Sequence, residues 1–170
     1  MIFRNEFTEF CEKFNLGKWV FKATELKNVL TFHKSDLIKI NNLHKIYNGE
    51  QGGLVIGKLH CDGGVHMIKP NKDGTEFTYA GEMEGWEYIS TSAKTVEHVN
   101  SLVNINDSVK PKNDCVSSEF EIPKNCNIID MTESVIQILY LSRFTQVIIN
   151  RESTKRNIKN IIKIEQKNKG

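Results

Sequence analysis

Nine of the eleven glycines in this 170-residue chain fall within residues 49–85, and no other feature constrains its fold as much. Glycine at that density disfavours helix. Short β-prone runs lie between the glycines: Leu54-Val55-Ile56, Val65-His66-Met67-Ile68, Phe77-Thr78-Tyr79 and Trp86-Glu87-Tyr88-Ile89. Asn71-Lys72-Asp73-Gly74 is a hairpin-turn signal. The centre therefore predicts a small antiparallel sheet whose glycines serve turns and bulges.

The flanks carry helical spacing. Phe3, Phe7, Phe10, Cys11 and Phe14 form one stripe, with Gly17 as its stop. A second helical stretch is expected from Leu26 to Ile46 (Val29, Leu30, Phe32, Leu37, Ile40, Leu43), with Ser35-Asp36 capping a restart inside it. Thr91-Ser92 opens a helix with Val96, Val99, Leu102 and Val103 on its apolar face, ending at Asn106-Asp107. Further on, Phe120–Ile122 and Asn127–Ile129 read as strands, Thr132-Glu133 as the start of an apolar helix through Leu141, and Gln146–Ile149 as a strand. A last helix from about Ser153 carries Ile158, Ile161 and Ile162. The expected architecture is α+β. It divides into an N-terminal helical segment (1–49), a glycine-rich β module plus helix (50–107), a polar linker with Pro111 (108–118) and a C-terminal α/β segment with a basic helix (119–170).

Two stretches echo one another. Residues 87–107 align without a gap on residues 146–166, so that Ile89 meets Ile148, Thr95 meets Thr154 and Ile105 meets Ile164. Val99, Leu102 and Val103 fall on Ile158, Ile161 and Ile162. Both copies read as strand, polar turn and amphipathic helix, a duplication signal that any strand–turn–helix unit also imitates.

The glycine-rich centre also carries a motif: Gly52-Gly53, then Gly57-Lys58-Leu59-His60-Cys61-Asp62-Gly63-Gly64-Val65, then Glu84-Gly85-Trp86-Glu87-Tyr88-Ile89, with Ala93 and a close at Ile105-Asn106. It resembles a module of phage-encoded proteins, tail tape-measure proteins and other virion-associated proteins among them. That module reads G-x-[S/T]-H-x-x-G-G followed by E-G-G-E-[Y/F]. The resemblance covers residues 52–107 and implies a phage context and a structural or assembly role. Two positions depart from the pattern: Leu59 stands at the hydroxyl position, and Trp86 replaces the second glycine of E-G-G-E.

Catalytic readings of the motif are limited. His60 facing Glu84 or Glu87 would give a His–carboxylate pair, the minimum for acid–base work. Cys61 beside His60 would diverge from it on a strand. No H-x-x-x-H or C-x-x-C spacing suggests a metal or cofactor, and Gly57-Lys58 is followed by Leu59-His60 rather than by the residues of a phosphate loop. Cys11, Cys61, Cys115 and Cys126 are irregularly spaced and read as free thiols of a reducing compartment; the spacing of Cys115 and Cys126 permits a disulfide without requiring one.

Net charge is only +2, which gives no global field for nucleic acid or membrane, and no apolar run reaches the ~18–20 residues of a membrane span. The first six residues include an acid and begin no apolar h-region, so no secretory signal is expected. Composition is skewed: 19 Ile, 19 Lys and 17 Asn against 4 Arg and 3 Ala, the mark of an A+T-rich genome. Lysine-rich stretches are discounted accordingly. Even so, residues 151–170 carry +5 and the rest −3. Lys155, Arg156, Lys159, Lys163 and Lys167 are the candidate interaction residues of that tail. The expectation is a non-enzymatic virion structural or assembly protein, associated with capsid, connector or tail, that contacts other virion proteins, self-associates in a ring or multimer, and resides in the virion and, during assembly, in the host cytoplasm. The alternatives are a small phage enzyme or host-takeover factor built on His60 with Glu84 or Glu87, and a DNA-associated protein acting through the tail.

Overall fold

The computed structural model describes residues 4–116 and 119–166. Phe3 of the first stripe, residues 117–118 of the expected linker and Lys167 of the basic tail lie outside them. Helix α1 (Glu6–Lys13) starts at Asn5, whose side chain accepts from the Thr8 N–H while Thr8 reciprocates to the Asn5 N–H. It buries Phe7, Phe10 and Cys11 and ends before Gly17, which takes a positive φ of 74°.

The chain then departs from the helical expectation for residues 26–46. Strands β1 (Lys18–Lys22) and β2 (Lys27–His33) form an antiparallel hairpin, and helix α2 spans only Lys34–Leu43. The reason is burial. Val29, Leu30, Thr31 and Phe32 are consecutive buried residues of an inner strand covered on both faces. Such a run has no period of two, and its spacing also fits a helix. His33 caps α2, and Asp36 completes the capping box.

The glycine-rich centre supplies β4 (Gly53–Ile56), a 3-10 turn (His60–Asp62), β5 (Val65–Pro70), β6 (Glu76–Met83) and β7 (Tyr88–Ile89), with β5 and β6 joined as the expected hairpin at Asn71–Gly74. Helix α3 (Ser92–Asp107) is capped by Thr91 as predicted. Beyond it come β8 (Ile128–Asp130), β9 (Gln137–Tyr140), β10 (Ile148–Ile149) and α4 (Arg151–Gln166). Phe120–Ile122 is coil rather than strand. The apolar helix expected from Thr132 is strand β9 instead; Gln137, Ile138 and Leu139 are buried together between parallel neighbours, the pattern of a two-faced inner strand.

With β3 (Ile46–Asn48), the strands form two mixed sheets, ordered β1-β2-β6-β5-β9-β3 and β10-β7-β4-β8. Strand alternation sorts the core into layers. Ile68 and Ile138 face α1 and α2 with Phe7, Phe10 and Ile40. Val65, Met67 and Leu139 face the second sheet, meeting Val55 and Ile89. Leu54, Tyr88 and Ile149 face α3 and α4, meeting Leu102, Ile158, Ile161 and Ile162. The result is helix, six-stranded sheet, four-stranded sheet, helix. The fold is α+β, with helices at both ends of the chain.

The echo is built into the second sheet. Ile89 pairs directly with Ile148, its aligned counterpart, in the antiparallel β7–β10 pair. Three hydrogen bonds recur at aligned positions. The Lys94 N–H donates to the Thr91 hydroxyl at 3.1 Å, and the Ser153 N–H to the Asn150 side chain at 3.0 Å. The Thr95 N–H donates to the Thr91 carbonyl at 3.0 Å, and the Thr154 N–H to the Asn150 carbonyl at 2.8 Å. The Thr91 N–H donates to Glu165 at 2.9 Å, and the Asn150 N–H to Asn106 at 2.8 Å. Asn106 and Glu165 are themselves aligned. A local two-fold axis thus runs between β7 and β10, and each helix closes the other's N-terminus.

Candidate functional site

The motif halves meet through glycine. Gly85 donates its N–H to the Lys58 carbonyl at 2.9 Å, and its Cα lies so close to the Gly57 backbone that a side chain there would collide with the Gly57 carbonyl. Gly57 has its own constraint: a Cβ would come 2.6 Å from Gln137 Oε1, the atom that accepts the Lys58 N–H at 2.7 Å. Gly63, at φ 116°, closes the 3-10 turn on the His60 carbonyl, and the Gly64 N–H returns to the Leu59 carbonyl. Leu59 and Trp86 each have a physical consequence for this turn. Trp86 adopts φ 68°, a left-handed conformation that favours glycine, and its ring meets Phe120 at 5.1 Å. Leu59 is the N-cap of the 3-10 turn and supplies no side-chain bond to it, whereas a Ser or Thr hydroxyl could.

The turn presents His60 to two carboxylates. His60 Nδ1 lies 2.8 Å from Glu82 and Nε2 lies 3.3 Å from Glu84. Glu84 is shared: its other oxygen lies 3.0 Å from Arg151 Nε in a buried ion pair. The Arg151 side chain is only 2 % exposed, and its guanidinium also reaches Asp114 at 2.6 Å and the carbonyls of Lys112, Asp114 and Val116. Glu87 does not touch His60; it accepts the Glu84 N–H at 2.8 Å. Cys61 and Cys115, expected as free thiols, are joined in a disulfide with Cα atoms 6.0 Å apart, while Cys126 and Cys11 remain free. The turn at His60, the coil at 112–116 and the start of α4 are thus tied together by ions, carbonyl bonds and one covalent link.

Behind the turn lies a second polar group. His66 is fully buried, stacked on Phe7, with Nδ1 3.0 Å from the Tyr79 hydroxyl and Nε2 3.2 Å from Glu6. Burial lowers its pKa.

Burial also raises the Glu84 carboxyl above its ordinary range, against the pull of His60 and Arg151, and pushes Glu87 up to about 7. A carboxyl raised in the folded state stabilises while protonated. Its contribution is complete below about 4.5, the ordinary carboxyl value, and is lost as pH rises through about 7. Glu87→Gln should therefore match the parent in urea unfolding near pH 4.5 and become progressively the more stable of the two up to about pH 7.5. A difference that stays flat across that range would refute the assignment.

Of the residues singled out from sequence, the structure places Gly57, His60, Gly63, Gly64, Glu84 and Gly85 around one turn, while Glu87 holds the Glu84 N–H instead of facing His60. It missed Glu82, Asp114, Arg151 and the disulfide. Arg151 carried a signal: it is one of four arginines in a chain whose composition favours lysine. Lys155, Arg156, Lys159 and Lys163 lie elsewhere, exposed along α4. Two cavities of about 420 and 370 Å³ are lined by other residues, the first by Tyr88, Thr91, Asn127 and Glu165, the second by Trp19, Val29 and Tyr79. Among the described residues, no group of three His, Cys, Asp or Glu side chains is placed to hold a metal ion, and no helix is long and apolar enough to cross a membrane. Comparison of the chain with family models, curated proteins and solved structures finds no match.

Proposed function

We propose that the protein is a non-enzymatic structural or assembly component of a bacteriophage particle. The observation that carries this reading is where the motif's polar groups go. Glu84 is divided between His60 and Arg151, and Glu87 holds the Glu84 N–H. Spent in this way, they lock two loops to a helix and build a rigid platform. The resemblance of residues 52–107 to a virion-associated module supports the same conclusion. Apolar side chains left on the surface, such as Phe21, Leu26 and Val96, suit a protein that is covered by neighbours. Mass spectrometry of purified particles should find the chain at a copy number that matches a symmetric ring or a multiple of it. Its absence from particles, with the chain abundant in the infected cell, would sink the proposal.

A second reading has one observation of its own. Lys155, Lys159 and Lys163 recur every four residues on the exposed side of α4, with Arg156 beside them. Such a ridge suits sequence-blind contact with nucleic-acid phosphates. Deleting the helix is no test, because Ile158, Ile161 and Ile162 belong to the core. Lys155→Glu, Lys159→Glu and Lys163→Glu together should abolish DNA retention at low salt. The parent's affinity should fall steeply with salt, with a log–log slope near −3. Equal retention by both proteins would dismiss the second reading.

A further inference from the structure

The local two-fold axis relates two surroundings that differ. On the β7 side the sheet continues: β4 pairs antiparallel to β7, with Gly53 opposite Ile89 and Leu54 opposite Tyr88. Above β4 and β7 lie Ile158 and Ile162 of α4, buried in the cluster that contains Leu54 and Tyr88. On the β10 side the sheet stops, because β10 is its outer strand. The Ser90 N–H donates to the Val147 carbonyl, and Ile149 pairs with Tyr88, so the register turns the N–H and C=O of Ile148 away from β7. Ile89, the counterpart of Ile148, directs the same groups at β4.

The helix above follows the same logic. Val99 and Val103 are the counterparts of Ile158 and Ile162, yet they are 41 % and 40 % exposed, and Val96 beside them is 77 % exposed. The axis passes perpendicular to the sheet, as it must between antiparallel strands, so α3 stands over β10 just as α4 stands over β7. The α3 backbone leaves helical geometry at His98, but Val99 and Val103 both follow that kink on one regular turn. Alternate apolar positions predict a buried face for α3; within the described residues only Thr95 and Leu102 are buried. Among the described residues, therefore, no strand pairs with the outer edge of β10 beside Val99 and Val103.

We propose that this edge is a docking site for an extended apolar segment of another protein, which adds to the sheet antiparallel to β10 in the place that β4 holds beside β7. The symmetry specifies the occupant. It is a strand of small and branched apolar residues, glycine first and Leu-Val-Ile-like after it, because Gly53, Leu54, Val55 and Ile56 fill the related position. Backbone bonds to Ile148 fix its direction, and alternate side chains fill the space beneath Val99 and Val103. The site stands on the internal symmetry and does not depend on the virion reading, so the two fail separately.

The test uses the full isotope-labelled chain and a synthetic peptide with the sequence of residues 52–58, Gly-Gly-Leu-Val-Ile-Gly-Lys. Titration followed by amide NMR shifts should give saturable changes centred on Ile148, Val99 and Val103. Val99→Lys with Val103→Lys, both on the surface of a helix, should keep the parent spectrum elsewhere. The pair should weaken peptide binding about tenfold or more, the expected loss from two valine contacts. Three outcomes overturn the proposal: no saturable shift, shifts centred on another edge, or binding unchanged in the lysine variant. A fourth does so as well: shifts of the same amides on raising protein concentration alone, which would make a second copy of the chain the occupant.

Discussion

Arg151→Met is expected to lower the stability of the protein by about 3–5 kcal/mol, the range for breaking a buried ion pair from one side. Its guanidinium is shared between Glu84, Asp114 and three main-chain carbonyls, and its side chain is 2 % exposed. Methionine fills most of the volume, so the loss reports charge and hydrogen bonding rather than a cavity. Glu84 is left buried, with His60 as its one remaining ion-pair partner among the described residues and the Asp114 carboxylate nearby. Combining Arg151→Met with Glu84→Gln should restore part of the loss, because a neutral amide needs no counter-charge. Urea unfolding of the parent, both single variants and the double variant measures the coupling directly. A single-variant loss below about 1 kcal/mol would show that the network holds no more than a surface pair does.

Reducing the Cys61–Cys115 bond is expected to cost about 2–4 kcal/mol. The two residues are 54 apart in sequence, and closing a loop of that length removes much of the freedom of the unfolded chain. The bond also fastens the coil at 112–116, which Arg151 holds from the other side. Cys115→Ser should lower the urea midpoint by the same amount as reductant does, and reductant should then have no further effect on that variant. Cys11→Ser should leave the response to reductant intact, since Cys11 is free and buried on the face of α1 that packs on the first sheet. A parent midpoint unmoved by dithiothreitol would remove the disulfide from the account.

The fold was legible where a cap or a turn marks the end of an element: Thr91 caps α3, and Asn71–Gly74 turns the β5–β6 hairpin. It was not legible in β2 and β9. Each is an inner strand with both faces covered, so Val29–Phe32 and Gln137–Leu139 carry no alternation to separate strand from helix. Within the candidate site, the glycine pattern located the turn and His60 because close backbone approach leaves a mark in sequence. Arg151 and Asp114 left none beyond the rarity of arginine, since an ion pair 37 residues apart has no local signature. The tail's charge was likewise misleading at one position: Arg151 counts toward the basic end of the chain, yet it is the largest fully buried side chain described.

The order of strands in the sheets has a consequence for how the chain is made. In the first sheet β9, residues 137–140, lies between β5 and β3, which precede it by some seventy residues or more. In the second, β8 and β10 form both borders around the earlier pair β4 and β7. Neither sheet is complete until residues 128–149, which carry β8, β9 and β10, have left the ribosome. Until then β3 and β5 wait as open edges, with their apolar faces uncovered. A chain that has emerged only as far as β7 presents those unpaired edges to its neighbours, the feature through which strands aggregate.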